Sequence, residues 1–166
     1  MKKIIPFLLA AAFILTGCST TVYVQSPEKL KGKRVAVGVI TISQLKKSKN
    51  KSTEDTLCSC LAQSTVNAFY PSLQKAGFTV VSFPTIDAND LSGIIKAADS
   101  LRVDYILFGT GIVDIVGHSS FMNKLTIKLV DVKTAESPLS GSFSGSGVGV
   151  IKAAGRIGDL IVRKMN

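Results

Sequence analysis

The sequence contains few of the residues from which most catalytic and nucleic-acid-binding sites are built. Its 166 residues include no tryptophan, and aromatic residues make up only 7% of the chain. So few aromatic side chains argue against a base-stacking platform and against an aromatic sugar-binding cleft. His118 is the single histidine, so only one imidazole is available as a base at neutral pH. We therefore predict a protein that is not an enzyme and has no catalytic residues.

The common catalytic and phosphate-binding motifs are also absent from the sequence. There is no Gly-x-Ser-x-Gly turn for a nucleophilic serine and no paired-histidine metal motif. The glycine-rich segment 141–149 precedes a predicted helix but lacks the lysine of a phosphate-binding loop. This segment is better explained as a flexible strand and turn, with an anion site as the alternative. The remaining catalytic candidate is a cluster next to a predicted strand connection: His118, Asp114, Ser119 and Ser120.

The chain has three cysteines, and Cys58 and Cys60 lie close together. Residues two apart on a helix point about 200° away from each other, so a disulfide between them would break the helix predicted there. A metal site would need more ligands than the sequence places nearby, and none is predicted. We interpret both residues as small buried hydrophobic side chains. A redox or intermolecular thiol and a metal ligand are the alternatives.

The amino-terminal segment is organised like a bacterial export signal. Lys2 and Lys3 supply positive charge, and residues 4–14 form an apolar stretch too short to span a membrane. The segment ends in Leu15-Thr16-Gly17-Cys18, which resembles the processing site of bacterial lipoproteins. The resemblance implies that residues 1–17 are removed as a signal peptide. It also implies a diacylglyceryl group on the sulfur of Cys18 and an acyl chain on its new amino terminus, with no other cofactor. An ordinary signal peptide with a chance cysteine is the alternative.

The next residue and the net charge indicate where the mature protein acts. In lipoproteins of enteric-type bacteria, an aspartate after the lipidated cysteine retains the protein at the inner membrane, whereas this chain has Ser19. We therefore expect a lipid anchor in the outer membrane, with the protein on its periplasmic face. The net charge of +9 favours anionic headgroups, peptidoglycan carboxylates or acidic proteins as partners. We expect no nucleic-acid partner, because nucleic acids are scarce in the periplasm.

Hydrophobic patterning predicts one folded domain behind a short tether. Residues 18–32 are interpreted as the lipidated cysteine and its tether, and residues 33–166 as a periplasmic domain. Strand and helix patterns follow in the order β-α-β-α-β-β-β-α, with the fourth strand over 123–132. This order predicts an α/β (α+β) fold with a mixed sheet and helices packed on it. Asp87 is expected to cap the second helix, and Pro71 to kink or divide the first.

Two surface segments are candidates for contact with the membrane or a partner. One is a basic polar loop that either is simply solvated or touches anionic headgroups. Its lysines are Lys46, Lys47, Lys49 and Lys51. The other is the predicted strand over 139–147, which has no internal charge or proline and so lacks the usual protection of a sheet edge. Its candidate interface residues are Ser142, Ser144 and Ser146, with coverage by the last helix as the alternative.

Three segments of the domain resemble the CsgG/LpoB-type periplasmic lipoproteins. Residues 97–109 (AADSLRVDYILFG) are similar to the helix-to-strand segment of that superfamily. Residues 129–136 (LVDVKTAE) are similar to its turn of the form strand–D–x–x–T–G/A–E, and residues 140–145 to its next strand. The resemblance covers about residues 33–165 and implies an anticodon-binding-domain-like α/β fold. It carries no catalytic residue over to this chain.

The resemblance also implies a role in assembling or regulating envelope machinery. We expect a non-catalytic lipoprotein that binds envelope proteins and can form homo-oligomers. The alternative is a subunit of an outer-membrane secretion or transport complex similar to the curli-secretion pore, although no insertion remains for membrane hairpins. A periplasmic enzyme or small-ligand binder is the third possibility.

Replacing Cys18 by Ser tests the lipoprotein assignment. Because serine cannot form the thioether, we expect an uncleaved precursor or a soluble periplasmic form. Membrane fractionation and the mass of the mature protein measure this outcome. A Cys18→Ser variant that stays membrane-bound with normal processing would contradict the assignment, and Cys60→Ser serves as the control.

Overall fold

The computed structural model describes residues 18–45, 51–84, 86–87 and 89–166. Ten elements follow one another along these residues. They are β1 (Ser19–Val24), α1 (Pro27–Leu30), β2 (Arg34–Gln44), α2 (Lys51–Lys75), β3 (Thr79–Ser82), α3 (Leu91–Leu101), β4 (Tyr105–Val116), β5 (Ser119–Asp131), β6 (Leu139–Gly149) and α4 (Val150–Met165).

The six strands form one mixed sheet in the order β1-β6-β5-β4-β2-β3. β2 runs parallel to both β3 and β4, whereas the pairs β4–β5, β5–β6 and β6–β1 are antiparallel. Parallel neighbours need long crossover connections, which α2 and α3 supply, whereas the antiparallel pairs β4–β5 and β5–β6 are joined by short turns. The predicted fold class, a mixed sheet with helices packed on it, is confirmed.

Two hydrophobic cores lie on opposite faces of the sheet. The larger core joins the sheet to α2 and α4. Phe69 of α2 and Ile157 of α4 are examples of side chains that are fully buried in it. The smaller core lies under α3 and contains Ile94 and Ala98 together with Ile106 of β4. The central strands are therefore covered on both faces, which explains their nearly continuous apolar sequence.

The predicted tether over residues 19–32 is wrong, because these residues belong to the folded domain. Residues 19–24 pair with β6 over six positions, from Ser19 opposite Ser144 to Val24 opposite Leu139. The pairing continues in a hydrogen bond from the Gln25 amide to the Pro138 carbonyl (2.7 Å). Beyond it, α1 buries Leu30 almost completely. The physical reason is an alternation of half-buried and exposed side chains in β1, which is typical of a strand on one face of a core.

The prediction that the 139–147 segment forms a sheet edge is wrong for residues 139–144. Over these residues β6 is paired with β5 on one side and with β1 on the other, whereas β1 does not extend beside residues 145–149. Ser142 and Ser144 therefore lie within the sheet, and the edge position belongs to β1. β6 could be recognised as an unprotected strand from its own residues, but only its pairing decides whether it is outermost.

Two local details of the helices differ from the sequence prediction. α2 is one helix of 25 residues that continues through Pro71, so the proline does not divide it. The helix α3 begins after Asp90, whose carboxylate accepts a hydrogen bond from the Gly93 amide (2.9 Å). Asp87 does not cap this helix, because its carboxylate accepts instead from the Asn89 amide in the preceding loop.

Among the described residues, no helix is long and apolar enough to cross a membrane.

The turn after β5 is held by Asp131. Its Oδ1 accepts hydrogen bonds from the amides of Lys133 (2.8 Å) and Thr134 (3.0 Å). Partial burial acts to raise the pKa of Asp131, but these hydrogen bonds, with further help from the Thr134 hydroxyl and the charge of Lys133, lower it overall. Burial, followed by the charge of Asp131, raises the pKa of the neighbouring Tyr105 hydroxyl. Asp131 thus stabilises the turn in its ionised form.

Replacing Asp131 by Asn should destabilise the protein at neutral pH and much less in acid. The folded-state pKa is lowered, so the stabilisation is present above the ordinary carboxyl value of 3.8 and is lost as pH falls through the folded-state value. We expect the variant to lose about 1 kcal/mol of unfolding free energy near pH 7, the usual worth of a hydrogen bond. Urea unfolding at several pH values measures the difference, with the exposed Asp159→Asn as control. A loss that stays constant down to low pH would contradict the argument.

The contact between α2 and α4 depends on a glycine. A Cβ added at Gly158 would lie 2.6 Å from the Cβ of Ser72 on α2, whereas a Cβ at Gly155 of the same helix would meet nothing within 4 Å. Ser72 is itself buried, so it has little room to move. The two helices therefore approach each other closely at Gly158.

Alanine at the two glycines should have opposite effects on stability. Gly158→Ala should lower the unfolding free energy by about 1–3 kcal/mol, because it overpacks the contact between helices. Gly155→Ala should raise it by about 0.5–1 kcal/mol, because alanine is the better helix former in open space. Urea unfolding followed by circular dichroism measures both. Equal effects at the two positions would show that helix propensity, not packing, decides the outcome.

Candidate functional site

Cys18, the predicted lipidation site, lies directly against the folded domain. It is half-buried immediately before β1, and its thiol donates a hydrogen bond to the Ser146 carbonyl (3.7 Å). A Cβ at Gly145 would lie 2.9 Å from the Cβ of Cys18, so this glycine makes room for the cysteine. A lipidated cysteine has no S–H to donate, so after lipidation the pairing of the adjacent Ser19 with Ser144 would keep the sulfur beside β6.

The position of Cys18 defines what we call the anchor end of the sheet. At this end β1 and β5 begin, and β2, β4 and β6 finish. The opposite end carries the Asp131 turn and α1. Since residue 18 precedes the first paired residue, Ser19, no chain separates a lipid on the cysteine from the sheet.

Two of the predicted interface serines, Ser142 and Ser144, lie inside the sheet, and Ser146 contacts Cys18 beyond the end of the β1–β6 pairing. Ser144 is opposite Ser19, and the hydroxyl of Ser142 shares a 2.8 Å hydrogen bond with that of Thr21. Ser146 contributes its carbonyl to the contact with the Cys18 thiol. These serines therefore connect the anchor segment to the domain, a role that the sequence alone did not indicate.

The outer edge of the sheet is formed by β1. Its sequence, STTVYV, contains no charge and no proline, which are the residues that usually protect an edge from pairing with another strand. In the described part of the chain, β1 pairs only with β6, so its other side is open. Tyr23 is 63% exposed on this strand. The edge property that the sequence predicted for β6 thus belongs to β1.

The remaining sequence-predicted candidates lie in and near the β4–β5 turn, in β6 and outside the described residues. His118 is exposed in the turn between β4 and β5, and Asp114 lies opposite Phe121 in the strands below it. The glycine-rich segment 141–149 is strand β6, and α4 begins directly after Gly149. Among the described residues, no group of histidine, cysteine and carboxylate side chains could hold a metal ion. Lys46, Lys47 and Lys49 lie outside the described residues, as does the side chain of Lys51.

The two cysteines on α2 have different surroundings. Cys58 is buried and contributes to the larger core, as predicted, whereas Cys60 is exposed, so the prediction of burial is wrong there. Burial, followed by the negative charges of Glu54 and Asp55, raises the pKa of the Cys58 thiol. A raised pKa disfavours the reactive thiolate, so Cys58 is suited to packing and not to redox chemistry.

A shallow recess of about 650 Å³ lies on the same face of the sheet as α3, over the part of that face that the helix does not cover. Its lining is rich in hydroxyl groups and includes two lysines, Lys124 and Lys128, but no carboxylate. The recess therefore offers hydroxyl and ammonium groups for polar contacts.

No protein-family model matches this chain, and no curated protein matches it. Solved structures do resemble it. The PelC dodecamer from Paraburkholderia phytofirmans is 16% identical, with a TM-score of 0.56 over 90% of this chain and 97% of that one. Lipoprotein GNA1162 from Neisseria meningitidis is 18% identical, with a TM-score of 0.48 over 81% and 94% of the two chains.

The C-terminal domain of LpoB from Salmonella enterica is 17% identical, with a TM-score of 0.37 over 71% of this chain and 84% of that one. At such low identity a structural likeness shows the fold alone, and of these three structures the PelC protomer has a TM-score above 0.5. This chain therefore has the fold of the PelC protomer over nearly its whole length.

Proposed function

We propose that this protein is a lipid-anchored, non-catalytic module of the bacterial envelope that works by assembling with copies of itself and with envelope proteins. The open edge of β1, next to the anchoring cysteine, is the observation that carries this proposal. The lipoprotein resemblance of residues 15–18 and the sorting argument from Ser19 support an outer-membrane location on the periplasmic side.

The β1 edge is suited to pairing with another chain. Its outward-facing backbone groups can accept or donate hydrogen bonds to an added strand, which is a common mode of protein recognition. The exposed ring of Tyr23 adds apolar area beside that edge, and aromatic residues are enriched at such interfaces. An edge without charge or proline that faced only water would be a liability for aggregation.

The opposite side of the domain carries a second exposed apolar surface. On α3, Leu91 is 65% exposed and Ile95 is 47% exposed, and residues four apart lie on one face of a helix. This helix packs near β2 and β3, whereas β1 is the other edge of the sheet. One protomer therefore presents two different surfaces on opposite sides.

Two different surfaces on opposite sides are what a head-to-tail assembly requires. Such contacts close into a ring when the rotation between neighbours permits it. The PelC structure that shares this fold is a dodecamer, which supports a closed assembly for this chain. We propose that the β1 edge of one copy pairs with the β3 edge of the next, so that Tyr23 lies near Leu91 and Ile95 of α3.

Lysine substitutions at the two surfaces test this assembly. Tyr23→Lys and Ile95→Lys should each weaken self-association about tenfold or more, equivalent to about 1.4 kcal/mol, because a charge is then placed in an apolar contact. Ser100→Lys is the matched control, since it adds the same charge to the exposed side of the same helix. Crosslinking in membranes and light scattering of the extracted protein measure the oligomeric state.

These measurements distinguish a surface used in self-assembly from one that merely accepts a lysine without effect. If the wild type is monomeric, or if both lysine variants assemble as the wild type does, the proposed assembly is wrong. Thermal unfolding of each variant shows whether the fold is intact, and we expect it to be unchanged because both replaced side chains are exposed.

A further inference from the structure

Three large apolar side chains at the anchor end are exposed without a partner in the described structure. Leu45 is 56% exposed, Val116 is 60% exposed and Ile151 is 64% exposed. Isolated apolar residues on a surface are common, but three at the same end of one sheet suggest a shared contact.

These residues come from three separate elements that the sheet brings together. The Leu45 amide donates a hydrogen bond to the Val113 carbonyl (2.7 Å), which places Leu45 at the end of β2 beside β4. Val116 is the last residue of β4 and pairs with Ser119. Ile151 is the second residue of α4, two residues after Gly149, which lies opposite Phe121.

The pairing register shows that the β4–β5 hairpin reaches beyond Cys18. Ser19 is opposite Ser144, and Ser144 is opposite Lys124. Ser119 is the first residue of β5 and lies five residues before Lys124, towards the β4–β5 turn. At about 3.3 Å per residue, the hairpin therefore extends on the order of 13 Å past the level of Cys18.

We propose that the anchor end, through Leu45, Val116 and Ile151, rests on the phospholipid bilayer itself. The inference relies on the lipidation of Cys18 in the proposed function. With the lipid attached directly before Ser19, which pairs with Ser144 of β6, no residues are available to hold the domain away from the headgroups. Side chains that lie beyond Cys18 along the strands then reach the interface, and exposed apolar groups gain free energy when they leave water there.

Apolar contact, more than charge, is expected to hold this surface on the membrane. Lys124 and Lys152 are exposed towards this end, but Glu54 and Asp55 occupy the first turns of α2 at the same end. The charges among the described residues are therefore mixed. We expect the contact to persist at high salt, which would screen a purely electrostatic attraction.

Tryptophan fluorescence tests the contact, because the chain has no tryptophan of its own. Val116→Trp and Ile151→Trp, each in the full-length lipidated protein, are reconstituted into vesicles that contain brominated phospholipids. We expect quenching and a blue shift of emission for both variants, unchanged by salt. Lys133→Trp, in the exposed turn at the opposite end of β5, is the control and should be neither quenched nor shifted.

Three other results would overturn the proposal. If Val116→Trp and Ile151→Trp are quenched no more than Lys133→Trp, the anchor end does not touch the bilayer. A blue shift without quenching shows instead that a second copy of the chain covers this surface. Failure of the wild-type protein to float with vesicles contradicts the lipidation of Cys18, and thus the proposed function, before the contact is measured.

Discussion

The parallel pairing of β2 with β4 is the constraint on which the rest of the structure depends. Parallel neighbours cannot be joined by a tight turn, so the chain must leave the sheet between them and return. The segment between β2 and β4 forms α2 on one face of the sheet, β3 at its edge and α3 on the other face. The paired residues Val37 and Leu107 then serve the larger core, and their neighbours Ala36 and Ile106 serve the smaller one.

Much of this arrangement could be predicted from the sequence because the central elements carry strong local patterns. Helix α4 has a clear apolar stripe, and the short apolar runs at the start of β2 and β4 predict buried central strands. The fourth strand was predicted to begin at residue 123 but begins at Ser119. A register shift between Met122 and Lys124 interrupts the alternation there, so the first residues of β5 do not continue the pattern of the rest.

The parts of the site that sequence reasoning missed are those that depend on distant partners. β1 is six residues long, with only three apolar or half-apolar positions on its buried face, and its partner lies more than a hundred residues away. In β1, Thr20, Val22 and Val24 alternate with exposed residues, and this alternation could have indicated a strand. The identity of the free edge could not be predicted in this way, because β6 is as unprotected as β1 and only the pairing separates them.

If the chain is exported and lipidated as proposed, the pairing of β1 with β6 sets an order of events. The amino terminus would leave the cytoplasm first, yet Thr21 would wait for Ser142, its hydrogen-bond partner 121 residues later in the chain. Contacts so distant in sequence form late, because the loop they close is long. The processing enzymes would therefore meet Cys18 on an unpaired, extended segment. The sheet would close beside Cys18 only after the last strand arrives, so lipid attachment would precede completion of the fold.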